Sequence, residues 1–279
     1  VSDRRLTPAN GRVAAETLRG TVTADRYVAG EAARVVPFAA FLHATPGGAR
    51  DRELLHGDAV QVFERRDGWA FVQAAKDSYC GYVDAAALGP AETPTHVVAL
   101  RHTHVYPAPD IKQPPDRRLP FGAAVACADT GETWAALADG GHVKAAHLRR
   151  IGRPWRDPVA VAETFLGTPY LWAGNTGDGI DCSGLVQAAL LACGIACPGD
   201  SDLQEALGEP LGDEAPLRRG DLVFWKGHVA MAVDGGTLIH ANAHAMAVVH
   251  EDARAAVARI AAQGDGPVTA RRRITPPGG

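Results

Sequence analysis

Apolar and polar residues alternate along the first half of the chain in short stretches, such as Val60-Gln61-Val62-Phe63, separated by Gly, Pro and Asp turns. A period of two sends successive side chains to opposite faces of a strand, so this half is read as small all-β units. The pattern repeats. Leu54, Gly57, Val60 and Trp69 recur as Leu119, Gly122, Val125 and Trp134, each 65 positions on. Both copies close on Gly-x-Val-x-Ala-Ala-x-Leu, at 81–88 and 141–148, where the offset falls to 60. The first copy therefore holds five extra residues, near Ala75-Lys76-Asp77-Ser78-Tyr79. They are expected to form a longer loop that projects beyond its own module. Trp69 and Trp134 are expected as core aromatics.

From Trp155 the period changes. Val159, Val161, Ala162 and Phe165 follow Asp157 at helical spacing, with Asp157 as N-cap. A glycine-rich approach, 172–179, leads into Ile180-Asp181-Cys182-Ser183-Gly184. Positions 182, 186, 189, 190 and 193 then share one helical face, all apolar or thiol. This places Cys182 in the first turn of a buried helix with Asp181 near its cap. Downstream, 220–225 reads as a strand, and His228 to Val233 alternates with His228, Ala230 and Ala232 on one face. Asp234-Gly235-Gly236 is a turn signal, after which Leu238, His240 and Asn242 share a face of the returning strand. A five-residue loop, 233–237, is expected to set His228 directly opposite His240, with Cβ atoms about 5 Å apart. An even loop would put them on opposite faces. Ala230 and Ala232 leave room for a helix to lie on that face.

This juxtaposition suits a thiol nucleophile. The thiolate is the reactive form, and both a helix N-terminus and a nearby imidazolium favour it. Cys182 supplies the sulfur, His228 a base, and His240 a group that orients the base. Cys193, inside the helix, and Cys197, beside a proline, are read as structural. Composition narrows the class. With 46% hydrophobic and 22% charged residues the chain is an ordinary folded protein. No apolar run approaches the ~18 residues of a spanning helix. A net charge of −4 argues against a nucleic-acid-coating surface. Five cysteines without a CxxC pair suit neither a disulfide scaffold nor a zinc ribbon, and no metal or cofactor is expected. The stretch from Val1 to Gly20 lacks the apolar core of a secretory signal.

The Leu-x-x-Gly-x-x-Val strands with their following Trp resemble bacterial SH3-like modules, over about 35–90 and 95–151. Pro169-Tyr170-x-Trp172, Asp181-Cys182-Ser183-Gly184-Leu185, Gly220-Asp221-Leu222-Val223-Phe224, His228 and Ile239-His240-Ala241 resemble the NlpC-type cell-wall cysteine peptidases. Together the two resemblances imply a multidomain α+β chain. An N-terminal extension (1–34) and two small SH3-like β-barrels (35–92 and 93–152) would precede a reduced papain-like α+β catalytic domain (153–279). The implied activity is a γ-D-glutamyl-L-diamino-acid endopeptidase with a Cys182–His228–His240 triad, acting on peptidoglycan stem peptides with a free N-terminal L-Ala, in murein recycling or turnover. The implied ammonium-binding residues are Asp181, Ser183, Trp172 and Asp200. Glu53 and Tyr79 are the acid and tyrosine implied for the first module, Glu53 being of a type that is usually solvated. The chain departs from the family at Ala173 and Ala230, where glycine is usual, each adding a methyl. Asn242 is a rival orienter, and Arg271-Arg272-Arg273 is expected as a solvated strand end. A non-catalytic binder of peptidoglycan fragments and a papain-like amidase or acyltransferase are the alternatives. With no leader removed, the expected location is the cytoplasm; with one removed, the periplasm.

Overall fold

The computed structural model describes residues 3–264 and 266–275, so the outer ends of the segments placed at 1–34 and 153–279, Val1 included, lie outside the described residues. The chain divides into two compact units, Val1–Arg153 and Pro154–Gly279. Strands dominate both, and no helix among the described residues is long and apolar enough to cross a membrane.

In the N-terminal unit one antiparallel sheet takes in Arg50–Leu55, Ala39–His43, Cys80–Asp84, Trp69–Ala74, Ala59–Arg66, Glu31–Val35 and Leu88–Pro90, in that order. It starts upstream of the border placed at residue 35, because Glu31 to Arg34 pair with Val62 to Ala59. The second copy of the repeat distributes its strands over three small sheets. Both copies nevertheless end alike, in a 3-10 turn (Ala85–Ala87, Ala145–His147) followed by a short strand (Leu88–Pro90, Leu148–Arg150). Their cores are built mainly from aliphatic residues: Val35, Leu42, Leu54, Val72 and Val83 in one, Val98, Val105, Leu119, Val125 and Val143 in the other. Trp69 and Trp134 are only half-buried, contrary to the expectation of core aromatics. Each makes edge contacts at a strand start, Trp69 with His43 and Trp134 with Tyr106.

The five extra residues do not carry Tyr79 outward. Ser78 N donates to Ala74 O at 2.9 Å and Ala74 N to Tyr79 O at 2.9 Å, closing a tight turn with Ser78 at φ +63°. The apolar body of Tyr79 packs with Leu42, Val72 and Val83. The two copies meet closely at Gly57 (φ +81°), where a Cβ would stand 1.9 Å from the Ala124 carbonyl oxygen. Ala124 N donates to His56 O at 3.0 Å, and Arg117 reaches Asp139 at 2.6 Å, with Arg34 3.7 Å away.

The C-terminal unit holds a six-stranded antiparallel sheet in the order Glu209–Pro210, Ala270–Arg273, Leu222–Trp225, His228–Ala232, Thr237–Asn242, Ala247–Asp252. Among the described residues four helices accompany it: α1 (Pro158–Glu163), α2 (Cys182–Ala192), α3 (Ser201–Gln204) and α4 (Ala253–Gln263). Helix α1 begins as expected, with Asp157 accepting from Val159 N at 3.0 Å and proline in the first turn, where its missing N–H costs nothing. The face of Ala230 and Ala232 does receive a helix, but it is α4, through Ala256 and Ile260. The arginine run is not a solvated end. Arg273 forms a two-pronged pair with the buried Asp221, at 3.0 and 2.8 Å, and Arg271 binds the Asp213 carbonyl.

Candidate active site

Helix α2 starts where the sequence places it. Asp181 is its N-cap, with Oδ1 accepting from Gly184 N at 2.6 Å and from Ser183 Oγ at 2.9 Å, and Oδ2 accepting from Ala173 N at 3.0 Å. Capping satisfies an amide that the first turn leaves without a helical partner. The helix is buried on nearly every side, beyond the single face expected: Ser183, Gly184, Leu185 and Gln187 are buried along with Cys182, Val186, Ala189 and Leu190. Gly184 fits because a Cβ there would meet Asn175 Oδ1 at 2.4 Å and the Gly174 oxygen at 2.5 Å. Ala173, at φ +65°, occupies left-handed backbone that glycine adopts without cost. The expected alanine-for-glycine replacement therefore bears on the backbone here.

Helix α2 packs against the strands that carry the two histidines. The hairpin pairs Met231 with Ile239 and Ala232 with Leu238, with Asp234 Oδ1 holding the turn through Gly236 N and Thr237 N at 2.8 Å each. In this register His228 and His240 share a face but are diagonal neighbours, not directly opposite. The loop of 233–237 is the expected one; continued along the strands, the register brings Asn242 opposite His228. The imidazoles still meet, because diagonal positions lie within reach of long side chains. His228 Nε2 and His240 Nδ1 are 2.9 Å apart, with ring centroids at 5.1 Å.

Two further residues stand behind this pair. His240 Nε2 lies 2.9 Å from Glu251 Oε2, and Arg259 on α4 clamps both Glu251 oxygens at 2.8 and 2.7 Å. Neither is among the residues expected from the sequence, although parity carried through the next hairpin reaches Glu251: Leu238 pairs with Glu251 and His240 with Val249, so 228, 240 and 251 share a face. Arg259 is six residues beyond the start of α4 and carries no comparable sequence signal. Asn242 Nδ2 also lies 3.0 Å from His240 Nε2, and its Oδ1 accepts from Ala245 N at 2.7 Å, so it closes the turn after the strand. Burial, together with the neighbouring imidazole, holds His228 well below the ordinary histidine range, and burial lowers His240 although Glu251 opposes it. The Arg259 guanidinium depresses the Glu251 carboxyl. The resulting charge state is two neutral imidazoles and an ionised carboxylate.

The remaining predicted positions are distributed as follows. Ser183 is buried and bonded to Asp181. Trp172 is 68% exposed on the approach to α2. Asp200 is the residue before α3, which Gln204 ties to the start of α2 by donating to Ser183 O at 3.0 Å. Glu53 lies within the strand Arg50–Leu55 of the N-terminal unit and is buried, unlike a solvated acid; Tyr79 is in that unit's core. None of the five cysteines is in a disulfide.

Residues 167–259 match the NlpC/P60 family, and residues 42–88 match the bacterial dipeptidyl-peptidase Sh3 domain. A Bacillus cereus protein named gamma-D-glutamyl-L-lysine dipeptidyl-peptidase is 40% identical over 92 residues, which is 30% of this chain and 27% of that protein. Dipeptidyl-peptidase 6 of Lysinibacillus sphaericus is 29% identical over 216 residues, 68% of this chain and 79% of the relative. Among solved structures, an NlpC/P60 family protein from Bacillus cereus superposes with a TM-score of 0.72 at 20% identity, covering 88% of this chain and all of that one, a likeness of fold. On these matches the chain carries an NlpC/P60 domain that follows a bacterial dipeptidyl-peptidase Sh3 domain.

Proposed function

We propose that the chain is a cysteine endopeptidase that hydrolyses the bond between γ-D-Glu and the L-diamino acid, diaminopimelate or lysine, of peptidoglycan stem peptides with a free N-terminal L-Ala, in murein recycling or turnover. In this reading its architecture is two tandem SH3-like barrels followed by a reduced papain-like domain. The observation that carries the proposal is the 2.9 Å contact between His228 and His240, on strands against which the Cys182 helix packs. The relatives named for γ-D-glutamyl-L-lysine cleavage give the substrate class.

The chemistry follows from these groups. His228 Nδ1 takes the proton of the Cys182 thiol, and Sγ attacks the γ-D-Glu carbonyl carbon. The carbonyl π bond opens to an oxyanion facing the Cys182 N–H at the start of α2, where amide protons point outward. His228 returns the proton to the leaving amine as the C–N bond breaks, giving a thioester. Water, deprotonated by the same imidazole, then releases the γ-D-Glu acid and regenerates the thiol. Asp181, Ser183, Trp172 and Asp200 are assigned to the substrate's ammonium end. Acylation removes the ammonium and leaves the carboxylate that would pair with it uncompensated, which costs several kcal/mol when buried, so a blocked N-terminus binds poorly.

The test is mass spectrometry of products from L-Ala-γ-D-Glu-diaminopimelate and its N-acetylated form. The wild type is expected to release L-Ala-γ-D-Glu from the free peptide only. Cys182→Ala, folded by circular dichroism, should lose at least about 10⁴-fold in turnover. Retained turnover in that variant, or binding without cleavage by the wild type, overturns the proposal. Equal cleavage of the blocked peptide moves the chain to the amidase or acyltransferase class.

A further inference from the structure

The proton positions along the histidine pair are decided by the residue at its far end. A carboxylate only accepts hydrogen bonds. Glu251, held ionised by the Arg259 clamp, faces His240 Nε2 at 2.9 Å, so that nitrogen carries the proton. In a neutral imidazole the other nitrogen is then a lone pair. His240 Nδ1 therefore accepts, and the partner 2.9 Å away, His228 Nε2, donates. This leaves His228 with its lone pair on Nδ1, the nitrogen that the proposed reaction uses as base. Asn242 Nδ2, 3.0 Å from His240 Nε2, would donate to it in the opposite tautomer, but that tautomer would set an imidazole lone pair against the Glu251 carboxylate, so the charged acceptor decides.

We propose that Glu251, braced by Arg259, is a positioning residue that fixes the tautomers of His240 and His228 so that His228 Nδ1 is the free base. The inference rests on the proposed peptidase chemistry for its consequence, but not for its geometry. The hydrogen bonds of Glu251 go to His240 and Arg259, so it sets the tautomers through His240. Its negative charge stabilises the positive charge that develops on His228 when the imidazole accepts the thiol proton. The arrangement extends the Cys–His–His set by one acid and one guanidinium, both from residues beyond the strand that carries His240.

The assignment is read without substrate. Long-range ¹H–¹⁵N spectra of the wild type near pH 7 should show His240 protonated at Nε2 and His228 protonated at Nε2. His240 protonated at Nδ1 overturns the proposal whatever the enzyme cleaves. Glu251→Gln removes the obligate acceptor, and its amide can donate to His240 Nε2; it should move His240 toward the Nδ1–H form. It should also lower kcat about 10- to 100-fold with KM changed less than about twofold, a smaller loss than when the acid touches the base directly. Arg259→Met should keep the tautomer and lose less than Glu251→Gln, and Arg259→Lys should recover most of that loss. An unchanged His240 signal together with unchanged kcat in Glu251→Gln overturns the proposal. A correct tautomer in a chain that cleaves no stem peptide leaves this inference standing and defeats the peptidase reading instead.

Discussion

Two acids flank the candidate site, and they are engaged differently. Asp181 gives its oxygens to two backbone amides and a hydroxyl at the start of α2. Glu251 gives its oxygens to two side chains, an imidazole and a guanidinium. The first fixes where a backbone goes; the second fixes where a proton sits. Both are carboxylates close to chemistry, yet their removal should be felt in different measurements.

Asp181→Ala should give the largest stability loss, about 3 kcal/mol: about 1 kcal/mol for the helix cap and the rest for the buried Ala173 N–H left without its acceptor and the lost Ser183 bond. Chemical denaturation measures it. Glu251→Ala should lose less stability than Asp181→Ala, and an equal loss would break the contrast. Acid comes next. His228 and His240 have folded pKa values below their unfolded ones, so the unfolded chain binds more protons once the pH falls below about 6.5. Glu251, also depressed, adds to this as the pH falls below the ordinary carboxylate range. Stability should therefore hold above pH 6.5 and fall by about 1–2 kcal/mol per unit beneath it. In His240→Asn the slope just below pH 6.5 should flatten. The smallest effect sharpens the Asp181 side. Ala173→Gly relieves a left-handed alanine and keeps the N–H that Asp181 accepts, so it should stabilise by up to about 1 kcal/mol, read as a raised Tm.

Periodicity made most of the C-terminal unit legible. The strict alternation from His228 and the Asp-Gly-Gly turn gave the hairpin, and the 182–193 spacing gave α2 with its cap. What escaped was mostly tertiary. A shared face follows from parity, but direct opposition needs the actual pairing sum, and the loop of 233–237 shifts His228 by two residues from His240. The partner of a buried imidazole can come from the next strand and the helix after it, so Glu251 and Arg259 required the reading to continue past Ala243. In the N-terminal unit the repeat showed through the closing turns. It could not show that one copy forms a single seven-stranded sheet and the other three small ones, because pairing between strands depends on partners far along the chain. The expected projecting loop at 75–79 differs for a related reason: five inserted residues can lengthen a loop or supply a core side chain, and spacing alone does not distinguish the two.

The close approach at Gly57 has a consequence for how the N-terminal unit comes apart. With Ala124 seated against a position that tolerates no side chain, and Asp139 of one copy bound by Arg34 of the other, neither copy can loosen without stripping polar groups from its neighbour. The two should melt in one cooperative transition despite their separate cores, and a chain divided between them should yield halves that aggregate rather than two independent beads.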